Sequence, residues 1–179
     1  ANITEIYIPE DITEIGTAAF QYCYSLATVK GGGHVEKMKD YAFNQCKALE
    51  NITLPATLKS IGNQCFSNCE ALNTITVPAA VTYIGKQAFI NDPVLLAVNV
   101  AEGNENYRSA DGVLYTADGK ELICCPAGKS GAVSVLPTVE TIAESAFDHC
   151  ATLESVSLPA SLKEIGNSAF NFAASLSLV

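Results

Sequence analysis

The sequence contains no tryptophan and a single arginine, and so is nearly without two of the residue types that dominate strong binding hot spots. Cations are scarce altogether: 10 Lys and Arg stand against 19 Asp and Glu, for a formal charge of −9. The basic residues are scattered, so a phosphate backbone would be repelled, and nucleic acid is excluded as a partner. No run of about 18 apolar residues occurs, which excludes insertion into a membrane as a spanning helix. Residues 1–20 lack the basic start and apolar centre of a signal peptide. What is abundant is apolar surface, 49% of residues, enough to build the core of one domain over residues 1–179.

That apolar content is periodic. Phe20, Phe43, Phe66 and Phe89 lie 23 residues apart, as do Phe147 and Phe170. Leu26, Leu49, Leu72 and Leu95 keep the same step, and so do Leu153 and Leu176. The unit is L-x-x-I-x-I-P-x-x-V-x-x-I-G-x-x-A-F-x-x-C-x-x. Ile75 and Val77 alternate as on a strand with one buried face, and Pro78 stops that strand. From Ile84 the spacing changes to threes, which predicts a short helical turn around Phe89. One unit cannot bury its apolar side, but stacked units can, and the phenyl rings then stack through the interior. The glycine slot (Gly16, Gly62, Gly85, Gly166) holds Lys39 and Ala143 in two units, so close packing explains it better than an obligatory positive φ.

Regular units cover about 3–95 and 130–179. Between Phe89 and Phe147 the spacing exceeds two periods by 12 residues, so one unit carries an insertion. Its sequence, YRSADGVLYTADGKELICCPAGK, predicts a β-hairpin over about 107–125 around Asp118-Gly119, with a type I′ turn. In the next unit Leu136 occupies the proline place and Pro137 follows, which predicts a local bulge.

The phrases LPATLKSIGNQCFSNCEAL and VPAAVTYIGKQAFIN, with DGVLYTADGKELICCP between repeats, resemble the BspA-like leucine-rich repeat proteins of bacterial surfaces. The resemblance covers nearly the whole chain. It implies a right-handed leucine-rich repeat solenoid with short parallel strands, short helical turns and one hairpin insertion. It also implies a secreted or cell-surface protein with an adhesin-like role, recognising a protein or glycan, host extracellular matrix among them. No site residue carries over, because such families differ in their exposed positions. In the second unit KGGGH replaces the proline corner, and Asp92 and Ala173 fill the cysteine slot in two others.

Candidate chemistry is thin. Cys23, Cys46, Cys69 and Cys150 share one slot, and the first three form a ladder of like-facing thiols on successive coils, too far apart along the stack for disulfides and not convergent enough for zinc. Cys65 fills an alanine slot and reads as packing. Cys124 and Cys125 are adjacent on a strand, so one of them should face outward. His149 beside Cys150 suggests a nucleophile pair, but the pattern turns the two apart. His34 sits in the glycine loop, where an exposed residue could also meet a partner. GKS at 128–130 lacks the first glycine of a phosphate loop, and Asn104, Asn106, Asp111 and Asp118 lack calcium-loop spacing and read as turn formers. No catalytic residue, cofactor or metal is assigned, and an enzyme is the least favoured class.

The outward strand positions Tyr7, Lys30, Thr53, Thr76, Ser134 and Ser157 form a strip rich in Thr and Ser. Tyr7 and Lys30, with Tyr22 and Tyr24, mark the N-terminal end as the first candidate for partner binding. Tyr107, Arg108 and Tyr115 of the insertion are the second. The sequence starts and stops at the same phase of the repeat without a polar cap, so a longer array or end-to-end self-association is expected. Noncatalytic binding of a macromolecule is the leading reading, and a structural spacer projecting another domain is the alternative.

Overall fold

Residues 2–177 are described by a computed structural model, in which the chain winds through about seven coils. Fifteen strands are assigned among them. The first coil holds β1 (Glu5–Ile8) and β2 (Glu14–Ile15), the second β3 (Thr28–Gly31) and β4 (Lys37–Met38), and the third β5 (Ser60–Ile61). The fourth holds β6 (Thr74–Val77) and β7 (Tyr83–Ile84). The fifth carries β8 (Ala97–Val100), β9 (Tyr107–Ala110), β10 (Val113–Thr116) and β11 (Glu121–Cys124). The sixth has β12 (Gly131–Ser134) and β13 (Thr141–Ile142), and the seventh β14 (Leu153–Ser157) and β15 (Glu164–Ile165).

The second strands run as a continuous parallel ladder β2-β4-β5-β7, with Ile15, Met38, Ile61 and Ile84 in register. The first strands pair only as β1-β3, β6-β8 and β12-β14. Between β3 and β6, residues 51–54 form no strand. The glycine corner of the second coil packs against the first coil, and there Gly31 and Gly32 take φ of 73° and 74°. A Cβ on Gly31 would sit 2.2 Å from the Ile8 carbonyl oxygen. At Gly62 and Gly85 φ is not positive, and a Cβ would lie 2.4 Å from the backbone nitrogen of Asp40 or Asn63 in the coil before. Close approach therefore explains that slot.

The expected helical turn around each Phe is absent among the described residues, and a run of turns with a different hydrogen-bond plan replaces it. Ala18 and Tyr22 lie in the left-handed region, at φ 55° and 62°, as do Tyr41/Gln45, Gln64/Asn68, Gln87/Asn91, Ser145/His149 and Ser168/Phe172. The reversal throws alternate N–H groups sideways. Those of Ala18, Phe20 and Tyr22 donate to the carbonyls of Asp40, Ala42 and Asn44 at 2.9, 2.8 and 2.9 Å. The N–H groups between and after them close local bonds, Ala19 to Gly16, Gln21 to Ala18 and Cys23 to Phe20. The same sideways triplet links the second coil to the third, the third to the fourth and the sixth to the seventh. A helix would spend every N–H within its own turn and leave the coils unstitched.

Inside this frame the rings of Phe20, Phe43, Phe66 and Phe89 stack at 5.2, 5.5 and 6.0 Å, and those of Phe147 and Phe170 at 4.8 Å. The thiols of Cys46 and Cys69 each donate to a carbonyl of the preceding coil, Phe20 O and Phe43 O, at 3.3 Å. All seven cysteines are free. Leu136 makes the corner bond that a proline carbonyl makes elsewhere, accepting from the Val139 N–H at 3.1 Å. Pro137 fits the next position of that turn. The irregularity of this coil falls at Gly131/Ala132 and not at Leu136, where the bulge was expected.

Asp92 fills the cysteine slot of the fourth coil and is wholly buried. Its Oδ1 accepts the Cys69 N–H at 2.7 Å, while Oδ2 has no partner. Burial holds this carboxyl well above the usual range. A raised acid pKa costs nothing below the unfolded value, and the cost grows as pH rises towards the folded one. Asp92→Cys should therefore stabilise the protein by about 1–3 kcal/mol at pH 7 and lose most of that advantage near pH 4, as urea unfolding at the two pH values would reveal. Phe66→Ala should cost about 3–5 kcal/mol, and Phe20→Ala at the half-covered first coil distinctly less, by the same measurement.

Candidate functional site

The residues expected at the surface separate into three places. At the N-terminal end Tyr7 is 66% exposed on β1, and Lys30 pairs with Glu5 at 2.8 Å. Tyr22 and Tyr24 are exposed, with ring centroids 6.0 Å apart, and the Lys47 ammonium lies 5.7 Å over Tyr24. Tyr22 occupies a left-handed position, as Gln45, Asn68, Asn91, His149 and Phe172 do in the other Phe turns, all at least partly exposed. Thr53 and Thr76 line a second place, a groove of about 500 Å³ beside the strandless stretch 51–54.

The insertion is the third. The hairpin expected around Asp118-Gly119 is present as β10–β11, and β9–β10 adds a second one to give a three-stranded antiparallel meander. The type I′ dihedrals occur at Asp111-Gly112, φ 49° and 72°. At the other turn only Gly119 is left-handed, at 68°, and the Asp118 carboxylate organises the loop by accepting from Thr116 Oγ1 and Lys120 N–H. Asn104 is likewise a turn former: its amide donates to Pro78 O and Val81 O, and its Oδ1 accepts from Asn106 and Tyr107 N–H.

Of the insertion residues, Arg108 is exposed and Tyr107 is half-buried, its hydroxyl accepting the Ile84 N–H at 2.9 Å. Tyr115 is 1% exposed and cannot meet a partner, contrary to expectation. Its strand β10 is covered on both faces: Leu114 joins the core of the first coils, and Val113 and Tyr115 join that of the last ones. Burial pushes the Tyr115 phenol up to about 12. Cys124 and Cys125 do face opposite ways, but each side is a core. Cys125 is buried in one and Cys124 is half-buried against the other, so neither presents the outward thiol that strand alternation suggests.

The meander also supplants one whole turn. Its third strand pairs in parallel with β13, and β13 with β15, but the fifth coil has no Phe turn. The N–H groups of Gln87, Phe89 and Asn91, which in other coils would donate sideways, have no acceptor among the described residues. Two side-chain bridges span the interruption, Lys86 Nζ to Glu144 Oε2 at 3.2 Å and Gln87 Nε2 to Ser145 Oγ at 3.0 Å. Beneath them lies a cleft of about 500 Å³ lined by Ile84, Phe89, Ile123 and Ile142 together with Glu121 and Glu164. Burial and the nearby Asp118 and Glu164 raise the Glu121 pKa.

Sequence reasoning missed Glu121, Glu164 and the exposed Tyr83 of β7. The first two sit at one register position, Glu121 beside Thr141 and Thr141 beside Glu164. That juxtaposition becomes visible only when β11 is recognised as the stand-in for a second strand.

Two segments, residues 1–110 and 129–179, match the family model of the BspA type leucine rich repeat region, in six copies. The chain belongs to this family. The unmatched residues 111–128 coincide with the later part of the meander. Among solved structures, the pneumococcal vaccine antigen PcpA is 28% identical, with TM-score 0.81 over 98% of this chain and 50% of that one. A leucine rich cell surface protein from Faecalibacterium prausnitzii is 28% identical, with TM-score 0.68 over 98% and 60%. A leucine-rich repeat protein from Eubacterium ventriosum is 24% identical, with TM-score 0.78 over 94% and 51%, and shares the fold. The chain spans about half to three fifths of the length of these proteins. No curated protein matches it.

Five of the seven thiols are held above the usual cysteine range. Burial pushes Cys46 and Cys65 up to about 12 and raises Cys69 and Cys124, and Cys125 is raised by its hydrogen bond with Cys150 as well as by burial. Brief exposure of native protein to iodoacetamide should modify chiefly Cys23, and denatured protein should take up label at all seven cysteines, as read by mass spectrometry.

Proposed function

We propose that this chain is a noncatalytic module that binds a protein or glycan outside a bacterial cell, as part of a secreted or surface-attached protein. One observation carries the reading: the solenoid displays exposed aromatic side chains, Tyr7, Tyr22 and Tyr24, that its own packing does not require. Aromatic residues held on a rigid frame give contact area at low entropic cost. The family, with a vaccine antigen and a cell surface protein among its relatives, supports the location.

Catalysis is not part of the reading. His149 Nδ1 lies 3.1 Å from Asp148 Oδ2 and its ring packs 4.6 Å from Phe172, while the Cys150 thiol turns inward towards Cys125 O. A second reading, a spacer, draws on the ion pairs that link successive coils, such as Lys59 with Glu36.

The test is binding of the reduced protein to an array of extracellular-matrix proteins, mucins and bacterial surface glycans. Deleting the meander is not a clean control, because β10 belongs to both cores. Point variants are: Tyr22→Ala with Tyr24→Ala, and Arg108→Ala. A saturable ligand weakened about tenfold or more by one of them supports the binding module. If nothing binds while every variant stays folded, the spacer takes its place.

A further inference from the structure

The interruption at the fifth coil is more than a dent in the surface. In a regular coil the sideways N–H triplet meets the carbonyls of the next turn, and here both partners are present without each other. On one wall the N–H groups of Gln87 and Phe89 lack an acceptor, although Phe89 is only 3% exposed. On the other wall, the Glu144 carbonyl occupies the slot that accepts such a bond in other coils, as Asp40 O and Lys86 O do, and it receives none. Only the middle position is filled, by the Cys125 N–H on Ala146 O at 2.7 Å. Buried main-chain donors without partners are costly, and a missing turn leaves room for roughly one chain at the 4.7–4.9 Å strand spacing. The cleft volume of about 500 Å³ is that of a few peptide residues.

The charge in the cleft is also one-sided. Eight of the nine lysines make ion pairs along the array, and Lys86 at this cleft is spent on Glu144. Glu121 and Glu164 have no ion-pair partner among the described residues. They flank Thr141 one strand away on either side, so their Cα atoms are roughly 9.6 Å apart. Apolar Ile84, Ile123 and Ile142 line the same space. An aliphatic stem ending in a cation matches both features.

We propose that this slot receives an extended segment of a partner polypeptide, hydrogen-bonded through its main chain to Gln87 and Phe89 on one wall and Glu144 on the other. A lysine or arginine side chain of that segment lies between Glu121 and Glu164. The exposed Lys86–Glu144 bridge and the part-buried Gln87–Ser145 bridge rotate aside to admit it. The proposal rests on the binding reading, narrows it to a protein partner, and moves the contact from the tyrosines to the cleft.

The experiment is a nitrogen-15 NMR titration of the whole chain with acetyl-Thr-Val-Lys-Val-Thr-Val-amide. Controls are the same peptide with Glu for Lys, the same peptide N-methylated at alternate residues, and a neutral oligosaccharide. Saturable shifts of the Gln87 and Phe89 amides at peptide concentrations up to about 5 mM are expected, with the Glu peptide at least about tenfold weaker and the N-methylated one inactive. Glu121→Gln with Glu164→Gln, both at partly or fully exposed positions, should weaken the Lys peptide about tenfold and leave the amide spectrum dispersed. Shifts that persist with the N-methylated peptide, shifts produced by the oligosaccharide alone, or none with any ligand would overturn the proposal. A ligand found on the protein and glycan array that still binds the Glu121/Glu164 variant leaves the binding module standing and removes the cleft. Peptide shifts in the cleft that the tyrosine variants leave unchanged keep the binding module and place its contact in the cleft.

Discussion

The lateral main-chain hydrogen bond between equivalent residues of successive coils is the constraint on which the rest of this molecule depends. It is made along the second strands, by the sideways triplet around each Phe outside the interruption, and along the first strands in the pairs β1-β3, β6-β8 and β12-β14. The triplet exists only because two residues per turn accept left-handed backbone. For residues other than glycine that costs on the order of 1 kcal/mol each. Residues such as Gln64, Asn68 and Asn91 fill those positions, and their side chains then bond to the equivalent side chain one coil away, as Asn91 does to Asn68 at 2.6 Å. Strain, ladder and core thus share a single period, and the stacked phenyl rings follow from it.

The period was legible because it is written in large side chains. Six of the seven phenylalanines stand in one slot, 23 residues apart except across the insertion, which marks a stacked repeat. The conformation inside the period was not. Spacing by threes is common to a helical turn and to consecutive turns with i to i−3 bonds, and what separates them is the sign of φ at Ala18 or Gln64, residues without a preference for the left-handed region. The glycine slot could be read correctly because two of its members are not glycine, which rules out a required positive φ.

The insertion shows where local signals stop. Asp-Gly occurs twice in it, and turn chemistry alone does not say which pair adopts type I′ dihedrals. Nor does alternation along β10 and β11 decide exposure, since that rule assumes one wet face. Val113-Leu114-Tyr115 is a continuous apolar run, the mark of a strand buried on both sides, and it places Tyr115 inside. The same geometry explains the paired cysteines: each faces a different core, and no thiol is left for solvent.

A repeat array with every turn in place satisfies its own main chain and offers a partner only side chains. Replacing one Phe turn by a meander changes this. The meander restores the strand ladder on one side, through β11 and β13, and fills the core with Leu114, Tyr115 and Leu122. It does not restore the sideways triplet, because Cys124-Cys125-Pro126 passes through the interior and spares only one N–H for Ala146. The interruption therefore presents, inside the array, main-chain donors and acceptors that the described residues otherwise leave free in this way only in the first and last coils. Exposed tyrosines can be gained or lost one substitution at a time, whereas this slot is tied to the length of the insertion. Recognition of an extended polypeptide is the property that the second kind of feature can supply and the first cannot.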